Sequence, residues 1–258
     1  MQYSLWKGSS HLSVIDLHSH IVPSVDDGAR TLSEAKEMID RMSRNLEAGS
    51  TVVFTPHYSC SMNRKIVSIR QSRSLQFLDW IEKENLGQLN FLHAGELMVQ
   101  GSALNFMEEV RYPGTGWVLV EFNTGVTWIE TLLQLRRLIK KGYLPLLAHP
   151  ERYRWCRRKP ERLISLSKIG CGNIVSARSF RSRKYAAVAR NLLKKGLSHA
   201  LCSDAHSPSD MILDEELKSR VNTFSRVPWQ ILTGEIPDMI LNDSRLPELP
   251  LRNLRGRE

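Results

Sequence analysis

The sequence predicts an α/β protein built as a parallel (β/α) barrel, and three observations lead to that fold class. Short runs rich in Val, Ile, Leu and Phe recur along the 258-residue chain, as buried parallel strands do. Stretches with helical periodicity lie between these runs, so strands and helices alternate. Nearly every run ends in His, Asp or Glu, and the carboxyl ends of barrel strands converge on one face. The predicted barrel has about seven strands, fewer than the usual eight.

Seven short apolar runs are the predicted strands. Each is followed at once by polar or titratable residues, so the strand ends and the candidate chemistry coincide. Glycine or a helical pattern separates each run from the next, which favours separate strands over one long buried helix. The runs cover residues 13–20, 51–57, 89–96, 117–122, 144–150, 172–178 and 199–206.

Three helices are predicted from their caps and apolar stripes. Thr31 and Glu34 have the spacing of a capping box, and Gly49 is a suitable stop for the helix that follows. The third helix is expected over 183–195. The second is expected over 127–141, before Gly142, with a stripe formed by Ile129, Leu132, Leu133, Leu138 and Ile139.

Composition is that of a soluble globular protein, with 41% apolar and 24% charged residues. We expect a single domain over 1–258. No apolar run approaches the ~18 residues of a membrane span, so no membrane insertion is predicted. Residues 1–12 have no apolar core of a signal peptide, and we interpret them as an irregular N-terminal arm of a cytoplasmic protein. None of the four cysteines lies in a C-x-x-C pair, which favours reduced thiols.

The formal net charge of +9 suggests an anionic partner. Basic residues are concentrated in 152–159 and 178–184. No nucleic-acid-binding motif accompanies them, so we expect no nucleic-acid partner. Basic loops exposed to solvent are an equally good explanation of the charge.

The residues that end the strands predict a metal centre. His18 and His20 are two positions apart, so in a strand both imidazoles point to the same side. Each candidate taken alone has an ordinary explanation as an exposed strand end or a turn. Together they account for most of the titratable residues at strand ends in a chain with eight histidines. The predicted ligands are His18, His20, Asp27, His57, Glu96, Glu121, His149, Asp204 and His206.

The ligand types indicate the metal and the substrate. Five imidazoles and four carboxylates without a thiolate suit Mn, Fe or Zn, with Mn²⁺ preferred. Nine ligands are too many for one ion and predict two to three per chain. Three divalent cations with four carboxylates leave a charge of about +2, which a dianionic phosphate would match. His11, His93 and His199 are expected to be ordinary residues because they do not end a strand.

The chain resembles the PHP (polymerase and histidinol phosphatase) superfamily, and within it the CpsB/YwqE/CapC branch of manganese-dependent protein-tyrosine phosphatases of capsule and exopolysaccharide systems. The matching stretches, in the family's order, are DLHSHIVPSVDDGARTLSEA, TPHYS, GEL, VLVEF, LLAHPERY and SDAH. The resemblance implies a distorted (β/α)7, TIM-like barrel, the PHP domain. It also implies that a metal-bridging hydroxide attacks phosphorus directly, without a covalent intermediate.

The resemblance further implies three ion sites. His18, His20, Glu96 and Asp204 would hold the first ion. Glu96 would bridge to a second, held with Glu121 and His149, and Asp27, His57 and His206 would hold the third. Arg152 matches a family arginine that binds the phosphate and stabilises charge in the reaction.

Three positions depart from the family pattern. A second arginine of similar proteins is replaced here by Met211, and Met98 stands at a position that is often polar or basic. The stretch 173–178 also differs from the usual motif. We therefore expect an altered pocket in which Arg178 or Arg181 supplies the missing guanidinium.

The favoured substrate is phosphotyrosine in a protein tail, expected to belong to a bacterial polysaccharide-system tyrosine kinase. A small-molecule phosphatase or phosphodiesterase of the histidinol-phosphate type is the alternative, and a regulatory metal-binding protein without turnover is a third. A homo-oligomer is compatible with the sequence. Cys156 and Arg162 have the C-x5-R spacing of cysteine-dependent phosphatases, but the five residues between them include a proline, a glutamate and no glycine, so that reading is rejected.

Overall fold

Parallel strands form two sheets in the computed structural model, which describes residues 13–59, 62–86, 88–100, 106–210 and 212–251. Every strand pair within them is parallel, and helices lie between most successive strands, which confirms the α/β class. The first sheet has the order β1-β2-β4 and the second β3-β5-β6-β7-β8-β9. The strands are β1 (Ile15–Ser19), β2 (Thr51–Phe54), β3 (His57–Tyr58), β4 (Asn90–His93), β5 (Glu96–Met98), β6 (Trp117–Glu121), β7 (Leu144–Ala148), β8 (Gly172–Ser176) and β9 (Ala200–Cys202).

Two of the seven predicted strands are each divided into two shorter strands. The run 51–57 gives β2 and β3, separated by Thr55 and Pro56. Proline has no N–H to give to a ladder, so pairing is interrupted there. The run 89–96 gives β4 and β5, and in both cases the first half belongs to one sheet and the second half to the other.

Helices and short helical turns connect the strands. Two 3₁₀ segments, Pro150–Arg152 and Ala177–Arg181, follow β7 and β8, and a π-helical turn covers Ile231–Glu235. The α-helices of the described residues are α1 (Leu32–Asn45), α2 (Arg64–Lys83), α3 (Met107–Val110), α4 (Trp128–Lys140), α5 (Arg154–Arg158), α6 (Arg162–Lys168), α7 (Ala186–Lys194), α8 (Glu215–Asn222) and α9 (Ile236–Leu241). None of these helices combines the length and the apolar character needed to cross a bilayer.

The three predicted helices exist, with corrected ends. Thr31 caps α1 by accepting from the N–H of Glu34, but α1 ends at Asn45 and not at Gly49. Gly49 instead turns the chain into β2 with a φ of 82°, after an extended Leu46 has already ended the helix. Helix α7 begins at Ala186 and not at 183, because Ser182 is extended after the 3₁₀ segment and residues 183–185 form a turn.

The predicted stripe of α4 is partly wrong. Leu138 is buried, but Ile129 is 66% and Leu133 58% exposed. Thr131 and Leu135 lie on the buried face instead, so the true buried stripe is rotated around the helix.

The first and last strands are in contact. The N–H of Asp204 donates to the carbonyl of His18 at 2.9 Å, and the N–H of His20 donates to the carbonyl of Ala205 at 2.8 Å. Ser19 and Ala205 form a parallel bridge. Residues from the first and last strands are thereby held side by side at the carboxyl ends of these strands.

Candidate metal centre

The nine predicted ligands lie together at the carboxyl ends of the strands. His18, Glu96 and Asp204 are fully buried or nearly so. His57 is partly exposed, and the side chain of Asp27 is 70% exposed. The cluster is therefore closed on the β1 side and open to solvent at Asp27.

Glu96, the first residue of β5, lies among four imidazoles. Its Oε1 is 3.4 Å from His18 Nε2 and 2.9 Å from His149 Nε2. Its Oε2 is 3.4 Å from His20 Nε2 and 3.0 Å from His57 Nδ1. Burial alone would raise the pKa of this carboxyl, but the surrounding imidazoles hold it well below its usual range. The Glu96 carboxylate therefore has imidazoles on both of its oxygens, an arrangement that suits a ligand shared by two ions better than a ligand of one ion.

Three overlapping groups of donor atoms could each hold an ion, with all atoms of a group within 4.8 Å of one another. Glu96 belongs to two of these groups, as a bridging carboxylate would. The grouping differs from the one that the resemblance implies, because the two ring nitrogens of His57 face opposite sides. The groups are His18, His20 and Glu96; His57, Glu96 and Glu121; and His20, Asp27, His57 and His206.

Asp204 and His149 lie at the edges of these groups. Asp204 Oδ1 is 3.4 Å from His18 Nε2 and 3.6 Å from His206 Nδ1. His149 Nε2 is 3.8 Å from Glu121 Oε2. All nine predicted ligands therefore have a donor atom within 4 Å of another member of the cluster.

Hydrogen bonds orient two of the imidazoles from behind. His20 Nδ1 donates to Asp26 Oδ2 at 2.8 Å, which directs Nε2 into the cluster. Burial opposes the charged form of His20, but the nearby carboxylates of Asp26 and Glu96 outweigh it and raise its pKa to about 9. His18 Nδ1 lies 2.6 Å from Thr55 Oγ1, so its Nε2 also faces inward. Such support from behind is typical of histidines that bind metals.

The donor atoms of the cluster fit divalent cations. Buried polar atoms normally have hydrogen-bond partners. Among the described residues, His18 Nε2, His20 Nε2 and Glu96 Oε2 have none, although each is buried and directed into the cluster. His57 Nδ1 is in the same state. Unpartnered imidazole nitrogens next to carboxylate oxygens are what a cation-binding site requires.

Backbone geometry at the cluster is unusual at two of the predicted ligands. His149 has a φ of 33° and Asp204 a φ of 54°, both in the left-handed region that favours glycine. Such conformations cost of order 1–3 kcal/mol and are concentrated at functional sites. His149 follows directly on β7 and Asp204 lies two residues after β9, where the chain must turn sharply to direct a side chain into the cluster.

Arg152 and Arg178 lie beside the cluster, at unequal distances from its centre. Arg152, in the 3₁₀ turn after β7, donates to Asp204 Oδ2. Ser176 Oγ donates to the same oxygen at 2.9 Å, which leaves Asp204 Oδ1 facing the imidazoles. Arg178 Nε is 3.5 Å from Asp210 Oδ1, in the loop after His206. Both arginines that the sequence analysis named as substrate-binding residues therefore lie at the rim of the cluster.

Sequence reasoning missed Arg70. This residue of α2 donates through Nη1 to the carbonyl of His57 and lies 5.7 Å from the ring centroid of Tyr58. Its pKa is lowered by burial, an effect that the charges of Asp26 and Asp27 oppose. No local motif marks Arg70, because only the packing of α2 against β3 brings it to the cluster.

The other residues considered in the sequence analysis either lie outside the donor groups or lie outside the described residues. The Cys156 thiol is buried, and burial raises its pKa, so it is a poor nucleophile. His199 is buried, and His93, although it ends β4, belongs to none of the donor groups. His11 and Met211 lie outside the described residues.

Parallel strands whose carboxyl ends carry this cluster place the chain among α/β proteins with a candidate multinuclear metal centre. The family model for capsular polysaccharide synthesis proteins, CpsB/CapC, matches residues 14–212, and the chain belongs to this family. It is 27% identical over 205 residues to the tyrosine-protein phosphatase CpsB of Streptococcus agalactiae, covering 75% of this chain and 83% of that protein. It is 28% identical over 202 residues to the tyrosine-protein phosphatase YwqE of Bacillus subtilis, covering 75% and 78%.

Solved structures support the fold. A structure from work on YwqE of Bacillus subtilis and CpsB of Streptococcus pneumoniae, described as metal-dependent tyrosine phosphatases, superposes with a TM-score of 0.73. It is 23% identical and covers 94% of this chain and all of that one. Histidinol phosphate phosphatase from Lactococcus lactis, bound to zinc, L-histidinol and phosphate, superposes with a TM-score of 0.51 at 16% identity, over 78% and 89% of the two chains.

Proposed function

We propose that this chain is a metal-dependent protein-tyrosine phosphatase that acts in capsule or exopolysaccharide synthesis. The observation that carries the proposal is the buried cluster around Glu96, whose imidazole and carboxylate atoms without hydrogen-bond partners fit divalent cations. Membership of the CpsB/CapC family supports the reaction and the pathway class. The two relatives described above are named tyrosine-protein phosphatases.

The nine predicted residues would hold two to three ions, with Mn²⁺ preferred and Fe or Zn compatible with the same donors. Glu96 would bridge, since it belongs to two of the donor groups. Bound divalent cations supply Lewis acidity and lower the pKa of a coordinated water. No thiolate takes part, in keeping with the buried, unactivated Cys156.

The protein's own contribution is orientation and charge. Asp26 and Thr55 hold the rings of His20 and His18 in one orientation, so their Nε2 atoms need not reorganise during the reaction. Arg152 would bind the phosphoryl oxygens through N–H groups not directed at Asp204. A tyrosinate leaving group, with a free pKa of ~10, needs little help from a general acid, and none is assigned.

The proposed substrate is phosphotyrosine in a protein tail, supplied by a tyrosine kinase of a polysaccharide system in the cytoplasm. Arg178 would contribute to substrate binding, because its half-buried guanidinium lies at the rim beside the loop of His206. Histidinol phosphate is the second candidate substrate, favoured by the weaker likeness to the Lactococcus lactis enzyme.

We further propose that the chain is a single PHP domain and that the two sheets form one distorted (β/α)7 barrel. The contacts between β1 and the segment after β9 support closure. Counting each divided strand once, the order of pairing is that of seven strands in sequence around a ring.

A substrate panel tests the proposed function. The purified protein is assayed on a phosphotyrosine peptide, a phosphoserine peptide, para-nitrophenyl phosphate and histidinol phosphate, with Mn, Fe, Mg and Zn supplied in turn. We expect the phosphotyrosine peptide to have the highest kcat/KM with Mn. A higher kcat/KM on histidinol phosphate would move the chain to the small-molecule class. A metal-loaded protein without turnover on any phosphoester would make it a regulatory metal-binding protein.

A further inference from the structure

Two segments of the chain carry all of its excess positive charge. Residues 152–162 and 178–195 together contain thirteen Lys and Arg and one Glu, a net charge of +12, whereas the whole chain has +9. The rest of the molecule is therefore slightly acidic. A charge separated in this way creates a local positive potential and not a uniformly basic surface.

The two segments meet at Tyr185. The guanidinium of Arg157, at the end of α5, lies 5.6 Å from the Tyr185 ring centroid. The ammonium of Lys184, just before α7, lies 5.2 Å from the same centroid. Arg154, Arg158 and Arg183 are exposed on these same two segments. We call the surface formed by Arg154, Arg157, Arg158, Arg183 and Lys184 the basic face.

No carboxylate of the described residues neutralises the basic face. The one Glu of the two segments, Glu161, pairs with Lys195, which lies outside the basic face, at 2.8 Å. None of the five cations of the basic face forms an ion pair within the described part of the chain. Their charge is available to a partner.

The basic face is continuous with the metal centre. Helix α5 begins two residues after Arg152, which contacts Asp204. The other segment begins at Arg178, whose Nε lies 3.5 Å from Asp210 Oδ1, and Asp210 Oδ2 accepts from the N–H of His206 at 2.9 Å. A substrate peptide whose phosphate is bound at the cluster would therefore extend over the Lys and Arg side chains of the basic face.

The composition of the basic face favours an acidic peptide over a membrane as its partner. Proteins that dock on anionic bilayers usually insert apolar side chains as well. The large apolar residues that are most exposed among the described residues lie on α1, α2 and α4, and none belongs to either basic segment. A flexible acidic segment needs no such anchor and gains affinity from charge alone.

We propose that the basic face binds acidic residues that flank the phosphotyrosine of the substrate. This rests on the proposed function for its link to catalysis, but docking itself can be measured without turnover. Glutamate or aspartate a few residues from the phosphotyrosine would pair with Arg158, Arg183 and Lys184. The metal centre would then recognise the phosphoester and the basic face the sequence around it.

The test compares two phosphotyrosine peptides, one with acidic and one with neutral flanks, on the Mn-loaded enzyme. The triple variant Arg158→Gln, Arg183→Gln, Lys184→Gln should raise KM for the acidic peptide about tenfold, as three exposed ion pairs would. Its kcat, and its kcat/KM on the neutral peptide and para-nitrophenyl phosphate, should stay unchanged. The matched control Arg44→Gln, Lys83→Gln, Lys140→Gln removes the same charge at exposed positions on other helices and should alter neither peptide.

Binding by fluorescence anisotropy makes the result independent of catalysis. An unphosphorylated acidic peptide should bind the wild-type protein, more weakly as salt rises from about 0.05 to about 0.5 M, and not the triple variant. Such binding without phosphatase activity would uphold docking and reject the proposed function. Equal KM values for the two peptides on the wild-type enzyme would overturn docking while leaving the function intact. Binding to phosphatidylserine vesicles that exceeds peptide binding, and is lost in the triple variant, would also overturn it.

Discussion

A single carboxylate, Glu96, connects the parts of the cluster, and its replacement is the sharpest test at the scale of one residue. Its two oxygens lie 2.9–3.4 Å from four imidazoles. Glu96→Gln keeps the shape but removes the charge that would bridge two cations. We expect kcat/KM to fall by several orders of magnitude while the far-ultraviolet circular dichroism stays unchanged. Retention of more than about a tenth of wild-type kcat/KM, a loss under ~1.4 kcal/mol, would exclude a bridging role.

Arg70 makes a second prediction, as a positioning residue that contacts the backbone of His57. Its donor holds the His57 carbonyl, and its charge lies near Asp26 and Asp27. Arg70→Met should lower kcat about tenfold or more with little change in KM, since a misaligned ligand affects the reaction more than binding. Arg70→Lys should restore part of the rate, because the charge returns without the planar donor.

Arg73→Met is the matched control for Arg70. Arg73 lies one turn further along α2. It donates to the carbonyl of Ser24, in the loop that contains Asp26 and Asp27, and contacts none of the predicted ligands. Its kcat should stay near that of the wild type. Equal losses in the two variants would mean that α2 only stabilises the loop and that Arg70 has no particular role.

At the residue scale, the sequence predicted the ligands that lie at strand ends and missed the residues that only tertiary packing brings to the cluster. His18, His149 and Asp204 follow apolar runs, so their convergence could be predicted from the parallel sheet alone. Arg70 lies in the middle of a helix whose packing no local pattern reports. Asp26 was visible in the sequence, but its bond to His20 depends on how the loop folds back.

At the scale of elements, the loop after β1 shows how a local sequence fixes a ligand. Gly28 lies against the backbone of His20, and a Cβ there would come within 2.0 Å of the His20 carbonyl oxygen. The N–H of Ala29 donates to that same oxygen at 3.1 Å. Only glycine allows Asp26 and Asp27 to approach His20 from this side.

Gly28→Ala should therefore displace the loop, weaken the group that contains Asp27, and lower kcat/KM by at least about tenfold. The clash is with backbone, so relaxation must move the loop and not a flexible side chain. The number of Mn ions per chain, measured by elemental analysis, should fall below that of the wild-type protein, for which we expect two to three. Gly125→Ala is the control, because its nearest contact would be an ordinary 3.4 Å from Asn123 Oδ1. Wild-type metal content and rate in Gly28→Ala would show that the loop tolerates the shift.

The elements themselves were predicted unequally, for physical reasons. Buried parallel strands are short, apolar and bounded, so their positions were predicted well, except that the runs 51–57 and 89–96 are each divided into two strands. The stripe of α4 was wrong because Ile129 and Leu133 are apolar yet exposed, and periodicity cannot tell which apolar face packs. Helix α2 carries apolar residues such as Ile69 on its exposed side as well, which weakens any amphipathic signal.

At the scale of the whole molecule, the predicted ligands include residues of the first strand and of the segment that follows the last strand. His18 and His20 belong to the first strand, whereas Asp204 and His206 follow the last one. Cations held between them would join segments almost 190 residues apart in sequence. Without cations, buried imidazoles and carboxylates must compensate one another through imperfect pairs, which is costly. Metal binding should therefore be linked to the stability of the entire fold.

The last prediction is that removal of metal lowers the thermal stability of the protein. A ligand present at about 100 times its Kd stabilises the folded state by ~2.7 kcal/mol per site. For a chain of this size that corresponds to a rise in Tm of roughly 5–10 °C for one site, and more for two or three. Calorimetry of chelator-treated protein, before and after addition of Mn²⁺, measures the shift, and Glu96→Gln should lose most of it. Because the ligands join the first and last strands, the whole unfolding transition should move without broadening. A Tm that is the same with and without Mn²⁺ would mean that the cluster closes the fold through its own hydrogen bonds, and that cations are not needed to join its two ends.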